Sequence, residues 1–130
     1  MKRWVAIVED EPGVARAIAM VVCRAGWTAR WTPDLDTLLR AIEDHGIPHA
    51  LVLDHNLGAG VVGADVLAAL HRRGIEPHTL CFSGAPAEVV RESFASRDLV
   101  APPGFVKPDH AGLLQALASF RQEVDASGRP

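Results

Sequence analysis

Five short apolar runs, each followed by a stretch whose apolar residues recur at helical spacing, constrain this chain more than any other feature. The runs are WVAIV (4–8), TARW (28–31), ALVL (50–53), HTLCFS (78–83) and GFVK (104–107). Each is the length of a strand and too short for a helix. After the first run, Pro12 suits the opening turn of a helix. Val14, Ile18, Val21 and Val22 then follow at three- and four-residue steps until Gly26 stops them. Thr32 or Asp34 can cap a second helix with Leu35, Leu38, Leu39 and Ile42 inward, and Gly46 and Pro48 end it. A third helix is predicted over 64–73, with Val66, Leu67 and Leu70 facing in. Pro86 opens a fourth, which runs through Val89, Val90 and Phe94 and is shortened by the irregular, proline-bearing segment ASRDLVAPPG. Pro108 and Asp109 start a fifth, with Leu113, Leu114, Leu117 and Phe120 inward.

Five strands alternating with five helices predict a parallel sheet covered on both faces. The first, third and fourth runs are nearly continuous in apolar residues, as central parallel strands are. At 130 residues the chain suits one domain, expected over 1–125 with a frayed tail at 126–130.

Composition removes several classes of function. A net charge of −3 gives no support for a nucleic-acid surface, and no direct nucleic-acid partner is expected. The longest apolar stretch, AIAMVVC between Arg16 and Arg24, is too short to cross a bilayer, and acids from residue 9 onward argue against a signal peptide. A cytoplasmic protein with no membrane partner is the expectation. Cys23 and Cys81 lack metal-ligand spacing and are expected as small buried side chains. The histidines at 45, 49, 71, 78 and 110 show no metal spacing either and are expected mostly at the surface. Trp4, Trp27 and Trp31 are read as packing residues.

In open parallel sheets the functional groups gather at the carboxyl ends of the strands. Here those ends carry Glu9 and Asp10, then Asp54, then Ser83 with Gly84, then Lys107. Each has an ordinary explanation: acids before a helix N-terminus, a Ser-Gly turn, a surface lysine before a proline. Asp54 is the exception, because a charge directly after ALVL needs compensation. Three carboxylates converging on one rim repel one another, and a hard divalent cation such as Mg²⁺ would relieve them. A lysine and a hydroxyl beside them would complete a cradle for a phosphoryl group, with Asp54 as the nucleophile.

The ordered set IVEDEP, LVLDHNL, CFSG and FVKP resembles the receiver domain of two-component response regulators, over about residues 4–124. That resemblance implies a single-domain flavodoxin-like (βα)5 fold, doubly wound, with strand order 2-1-3-4-5. It implies Asp54 as the phosphoacceptor, Glu9 and Asp10 as Mg²⁺-binding acids, and the backbone carbonyl of Asn56 as a third protein ligand to the metal. Ser83 becomes the hydroxyl that turns towards the phosphoryl group and Lys107 the cation that pairs with it. A sensor histidine kinase or a histidine phosphotransfer protein becomes the partner, and a homodimer is compatible with the resemblance. Such a domain catalyses its own phosphorylation and dephosphorylation and is not a turnover enzyme. Aspartate-nucleophile hydrolases commonly carry a second aspartate two residues further on, where this chain has Asn56.

The chain departs from the family at named positions. Gly58 stands where a proline is usual, and the GAGVVG loop is about one residue longer than the family's, so this loop is expected to be loose. Gly104 stands where a tyrosine or phenylalanine is usual, and Phe105 is expected on the opposite face of its strand. Two other readings follow: an interaction module independent of phosphorylation, and the N-terminal part of a longer regulator with a separate output domain.

Overall fold

The structure is a computed structural model, and it describes residues 3–107 and 109–127. Strands β1 (Trp4–Val8), β2 (Thr28–Trp31), β3 (Ala50–Leu53), β4 (His78–Ser83) and β5 (Gly104–Val106) alternate with helices α1 (Pro12–Arg24), α2 (Leu35–His45), α3 (Gly63–Arg72), α4 (Ala87–Ala95) and α5 (His110–Ala126). The strands form one parallel sheet in the order β2-β1-β3-β4-β5. The parallel sheet is the one expected from the alternation, and its strand order is the doubly wound one that the resemblance implies. Pro108, expected to help start α5, lies outside the described residues, as do 128–130 of the expected tail.

Period-2 alternation divides the central strands between two cores. Val5, Ile7, Val52, Leu80 and Phe82 pack under α1 and α5 with Ile18, Val22, Leu113 and Leu117. Trp4, Ala6, Val8, Leu51, Leu53 and Cys81 pack on the other face with Leu38, Val66, Leu70, Val90 and Phe94. Every residue of β1 and β3 is buried, as two-sided cover requires. Caps fall where short polar side chains permit them. The Asp34 carboxylate accepts from the Thr37 N–H at 2.8 Å, and that of Asp109 accepts from the Gly112 N–H at 3.0 Å. Trp27 is buried, and its indole N–H donates to the Leu117 carbonyl at 3.0 Å, tying β2 to α5.

Three expectations are corrected. Cys23 is exposed, because the position after Val22 turns about 100° away from the buried stripe. The helix extends through Ala126, where the chain was expected to fray, because Val124 packs on the core and Asp125 pairs with Arg3. The 57–61 loop is a closed turn: Gly58, Ala59 and Gly60 have φ of 80°, 53° and 76°, and hydrogen bonds run from Leu57 N to Val61 O and from Val61 N to Gly58 O. Glycine there supplies left-handed backbone at little strain.

Candidate functional site

The carboxyl ends of β1, β3, β4 and β5 lie side by side, and their terminal residues make the site. Asp54 directly follows β3, and its backbone N–H donates to the Val8 carbonyl at 3.0 Å, continuing the ladder one step beyond the strand. Its side chain is buried, and one carboxylate oxygen, Oδ1, accepts from the backbone N–H of His55 at 2.8 Å. Gly63 supports the same corner. A Cβ at that position would lie 2.2 Å from the Asp54 carbonyl oxygen, so only glycine lets the start of α3 pass this close.

Glu9 is 1% exposed, and its Oε1 is 2.7 Å from Lys107 Nζ. The same ammonium lies 3.2 Å from Asp54 Oδ2. One cation near the end of the chain thus bridges two buried carboxylates, Glu9 and Asp54, from the strand ends of β1 and β3. Asp10, beside Glu9, is exposed, and each of Glu9, Asp10 and Asp54 offers a carboxylate oxygen within 4.8 Å of the others. Burial pushes the Glu9 carboxyl up to about 7; the Lys107 hydrogen bond opposes that rise and the neighbouring Asp54 adds to it. For Lys107, burial acts to lower the pKa. The hydrogen bond to Glu9 and the charges of Asp54 and Glu9 outweigh it and hold the ammonium above the ordinary lysine value.

Ser83 is the last residue of β4 and is buried. Its carbonyl accepts from Lys107 N at 3.1 Å, which fixes the lysine's departure from the sheet. Its Oγ accepts from Ala85 N at 3.1 Å, leaving the hydroxyl proton to donate. Asn56 opposes Val62 in an antiparallel bridge whose hydrogen bonds belong to the flanking residues, Leu57 N to Val61 O and Gly63 N to His55 O. The Asn56 carbonyl is therefore not consumed by the bridge.

This donor set suits a hard cation: three carboxylates in mutual reach and an uncommitted backbone carbonyl. All six residues singled out from the sequence lie at this one rim of the sheet.

Two residues not singled out also belong here. Trp31, read as packing, is 44% exposed, and its indole N–H donates to the Glu9 backbone carbonyl at 2.6 Å. Thr32 Oγ1 donates to the Ile7 carbonyl at 3.1 Å and holds the end of β2 against β1. His55 is buried beside Asp54 and contributes its backbone N–H rather than its ring. Gly104 and Phe105 take opposite faces of β5 as expected: a Cβ at 104 would face Cys81, while Phe105 packs with the α1–α5 core.

No protein-family model matches the sequence, and no curated protein matches it. Solved structures do match in fold. The N-terminal domain of a response regulator/sensory box/GGDEF three-domain protein from Carboxydothermus hydrogenoformans aligns with a TM-score of 0.75 and 19% identity, over 98% of this chain and 100% of that one. The receiver domain of NtrX from Brucella abortus aligns with a TM-score of 0.74 and 24% identity, over 92% and 98%. A Francisella response-regulator receiver domain gives 0.74 and 17%, over 94% and 98%. The chain has the fold of a response-regulator receiver domain.

Proposed function

We propose that this domain is a phosphoaccepting receiver in two-component signalling. The observation that carries the reading is the triangle at the rim: buried Asp54 sharing Lys107 with buried Glu9, with Asp10 in reach. The donor is a phosphohistidine on a sensor histidine kinase or a phosphotransfer protein. An Asp54 carboxylate oxygen bonds to phosphorus as the phosphorus–nitrogen bond breaks, and the electron pair leaves with the imidazole.

Glu9, Asp10, Asp54 and the Asn56 carbonyl would hold Mg²⁺, which when bound supplies positive charge to the phosphoryl oxygens. The His55 N–H orients the Asp54 carboxylate. Lys107 supplies a point charge, and the Ser83 hydroxyl donates to the transferred group. With Asn56 and no second aspartate two residues past Asp54, the domain acts as a switch and not as a turnover enzyme. Among the described residues no helix is long and apolar enough to cross a membrane, and the reading places the domain in the cytoplasm beside its kinase.

Intact-mass measurement after incubation with Mg²⁺ and acetyl phosphate tests this. One phosphoryl group is expected, absent without Mg²⁺ and absent in Asp54→Asn. Failure of acetyl phosphate to add mass, together with no response to beryllofluoride, overturns the reading. Gly104, which presents no side chain towards Cys81, favours a second reading as a phosphorylation-independent interaction module. That reading expects Asp54→Asn to bind its partner unchanged.

A further inference from the structure

Between β4, β5 and α4 lies a crevice of about 310 Å³. Cys81, Ser83, Val90, Arg91, Pro102 and Gly104 are among the residues that line it. It exists because Gly104 presents no side chain. A Cβ built there meets nothing closer than Cys81 Cβ at 3.8 Å, an ordinary contact, so any larger residue would grow into the space. It stays open above because α4 is only nine residues long, and the chain then turns away through Asp98 at φ 58°.

The lining is largely apolar, and Arg91 is its one charged residue. Burial, with the charge of Asp54 adding, pushes the Cys81 thiol up to about 12, so it behaves as a small hydrophobe. Arg91 makes no ion pair or hydrogen bond of its side chain among the described residues. The neighbouring Arg97 is committed to Asp65 at 2.8 Å. Glu88 and Glu92 share α4 with Arg91 but do not line the crevice. An apolar slot of this size, at the small end of ligand sites, with one uncommitted guanidinium at its mouth selects both size and charge.

We propose that this crevice binds a small planar organic carboxylate of one or two rings, with the ring over Cys81 and Gly104 and the carboxylate on Arg91. The crevice borders the phosphoacceptor rim at Ser83, and its binding requires neither metal nor phosphodonor.

The test is a titration of the ¹⁵N-labelled chain with 1-naphthylacetate, without Mg²⁺ or phosphodonor, followed by amide chemical shifts. Shifts confined to the surroundings of Ala85, Arg91, Phe105 and Val106 are expected. The neutral 1-naphthylacetamide is expected to bind about tenfold more weakly, the worth of one charge-assisted contact. Arg91→Ala, an exposed helix position, should bring acid and amide to equal affinity. Gly104→Phe, shown to be folded by its dispersed spectrum, should abolish the shifts; if it fails to fold, the Arg91→Ala and amide comparisons decide. No localised shifts at millimolar ligand, equal affinity of acid and amide for the unmodified chain, or binding retained in folded Gly104→Phe each overturn the proposal. None of these outcomes bears on Asp54, whose phosphorylation is read separately by mass.

Discussion

Lys107 Nζ lies 2.7 Å from Glu9 Oε1 and 3.2 Å from Asp54 Oδ2, so a single ammonium compensates two buried carboxylates. Removing it while keeping the side chain's length leaves those acids facing each other in a poorly solvated corner. Lys107→Met is therefore expected to destabilise the metal-free protein by about 2 kcal/mol at pH 8, less than a fully buried pair because the lysine is a quarter exposed. At pH 5 the loss should shrink, because Glu9 can then take a proton instead. Urea unfolding of both proteins at the two pH values checks this. An equal loss at both would mean that the lysine acts through packing alone.

Glu9 also sets a pH dependence. Its carboxyl is raised from 4.5 to about 7 in the fold, with burial as the main cause. A raised carboxyl binds its proton more tightly folded than unfolded. The stabilisation is complete below about pH 4.5 and is lost as pH rises through about 7. At about 1.4 kcal/mol per pH unit the difference is about 3 kcal/mol. Glu9→Gln should remove this component, so its stability relative to the unmodified chain should improve from pH 4 to pH 8. Mg²⁺, by favouring the ionised acid, should flatten the same profile. Chemical denaturation across that range, with and without Mg²⁺, reads both effects.

Much of this arrangement was legible in the residues. Short apolar runs between stretches of helical spacing placed every strand, and the strand-end rule then brought Glu9, Asp10, Asp54, Ser83 and Lys107 to one rim. What was hidden depends on which face a residue takes or how near another segment passes. Cys23 follows a buried valine, and hydropathy alone does not register the rotation between consecutive helical positions. Trp31 sits on edge strand β2, where an aromatic residue can pack inward or reach along the rim, and only the fold shows its N–H meeting the Glu9 carbonyl. Nothing local to Gly63 signals that a carbonyl nine residues earlier presses against it. The open crevice beside Gly104 depends in turn on where the 96–103 segment goes after α4.

The Gly63 contact makes a sharp expectation. A methyl group there would sit 2.2 Å from the Asp54 carbonyl oxygen, and backbone cannot yield as a flexible side chain can. Gly63→Ala is expected to cost about 3 kcal/mol, the upper range for overpacking. By shifting the Asp54 backbone it should also slow phosphorylation by acetyl phosphate. Gly13→Ala is the control, since a Cβ at Gly13 meets nothing within 4 Å. Thermal unfolding and intact mass on the two variants separate a local clash from a general intolerance of alanine for glycine.

Trp31 gives the site an optical reporter. Trp4 and Trp27 are buried in the two cores, at 0% and 4% exposure, whereas Trp31 is 44% exposed and bonded to the carbonyl of a proposed metal-binding residue. A cation drawing on the Glu9 carboxylate moves the backbone to which the indole is tied, so Mg²⁺ should change the fluorescence of Trp31 and leave the other two tryptophans unaffected. Trp31→Phe should abolish the titration signal and lower stability by about 1 kcal/mol, the worth of one hydrogen bond. Because the indole holds Glu9 in place, the variant should also need more Mg²⁺ for the same thermal stabilisation. Unchanged Mg²⁺ dependence in Trp31→Phe would show that the acid pair is fixed by β1 alone and that the indole only reports on it.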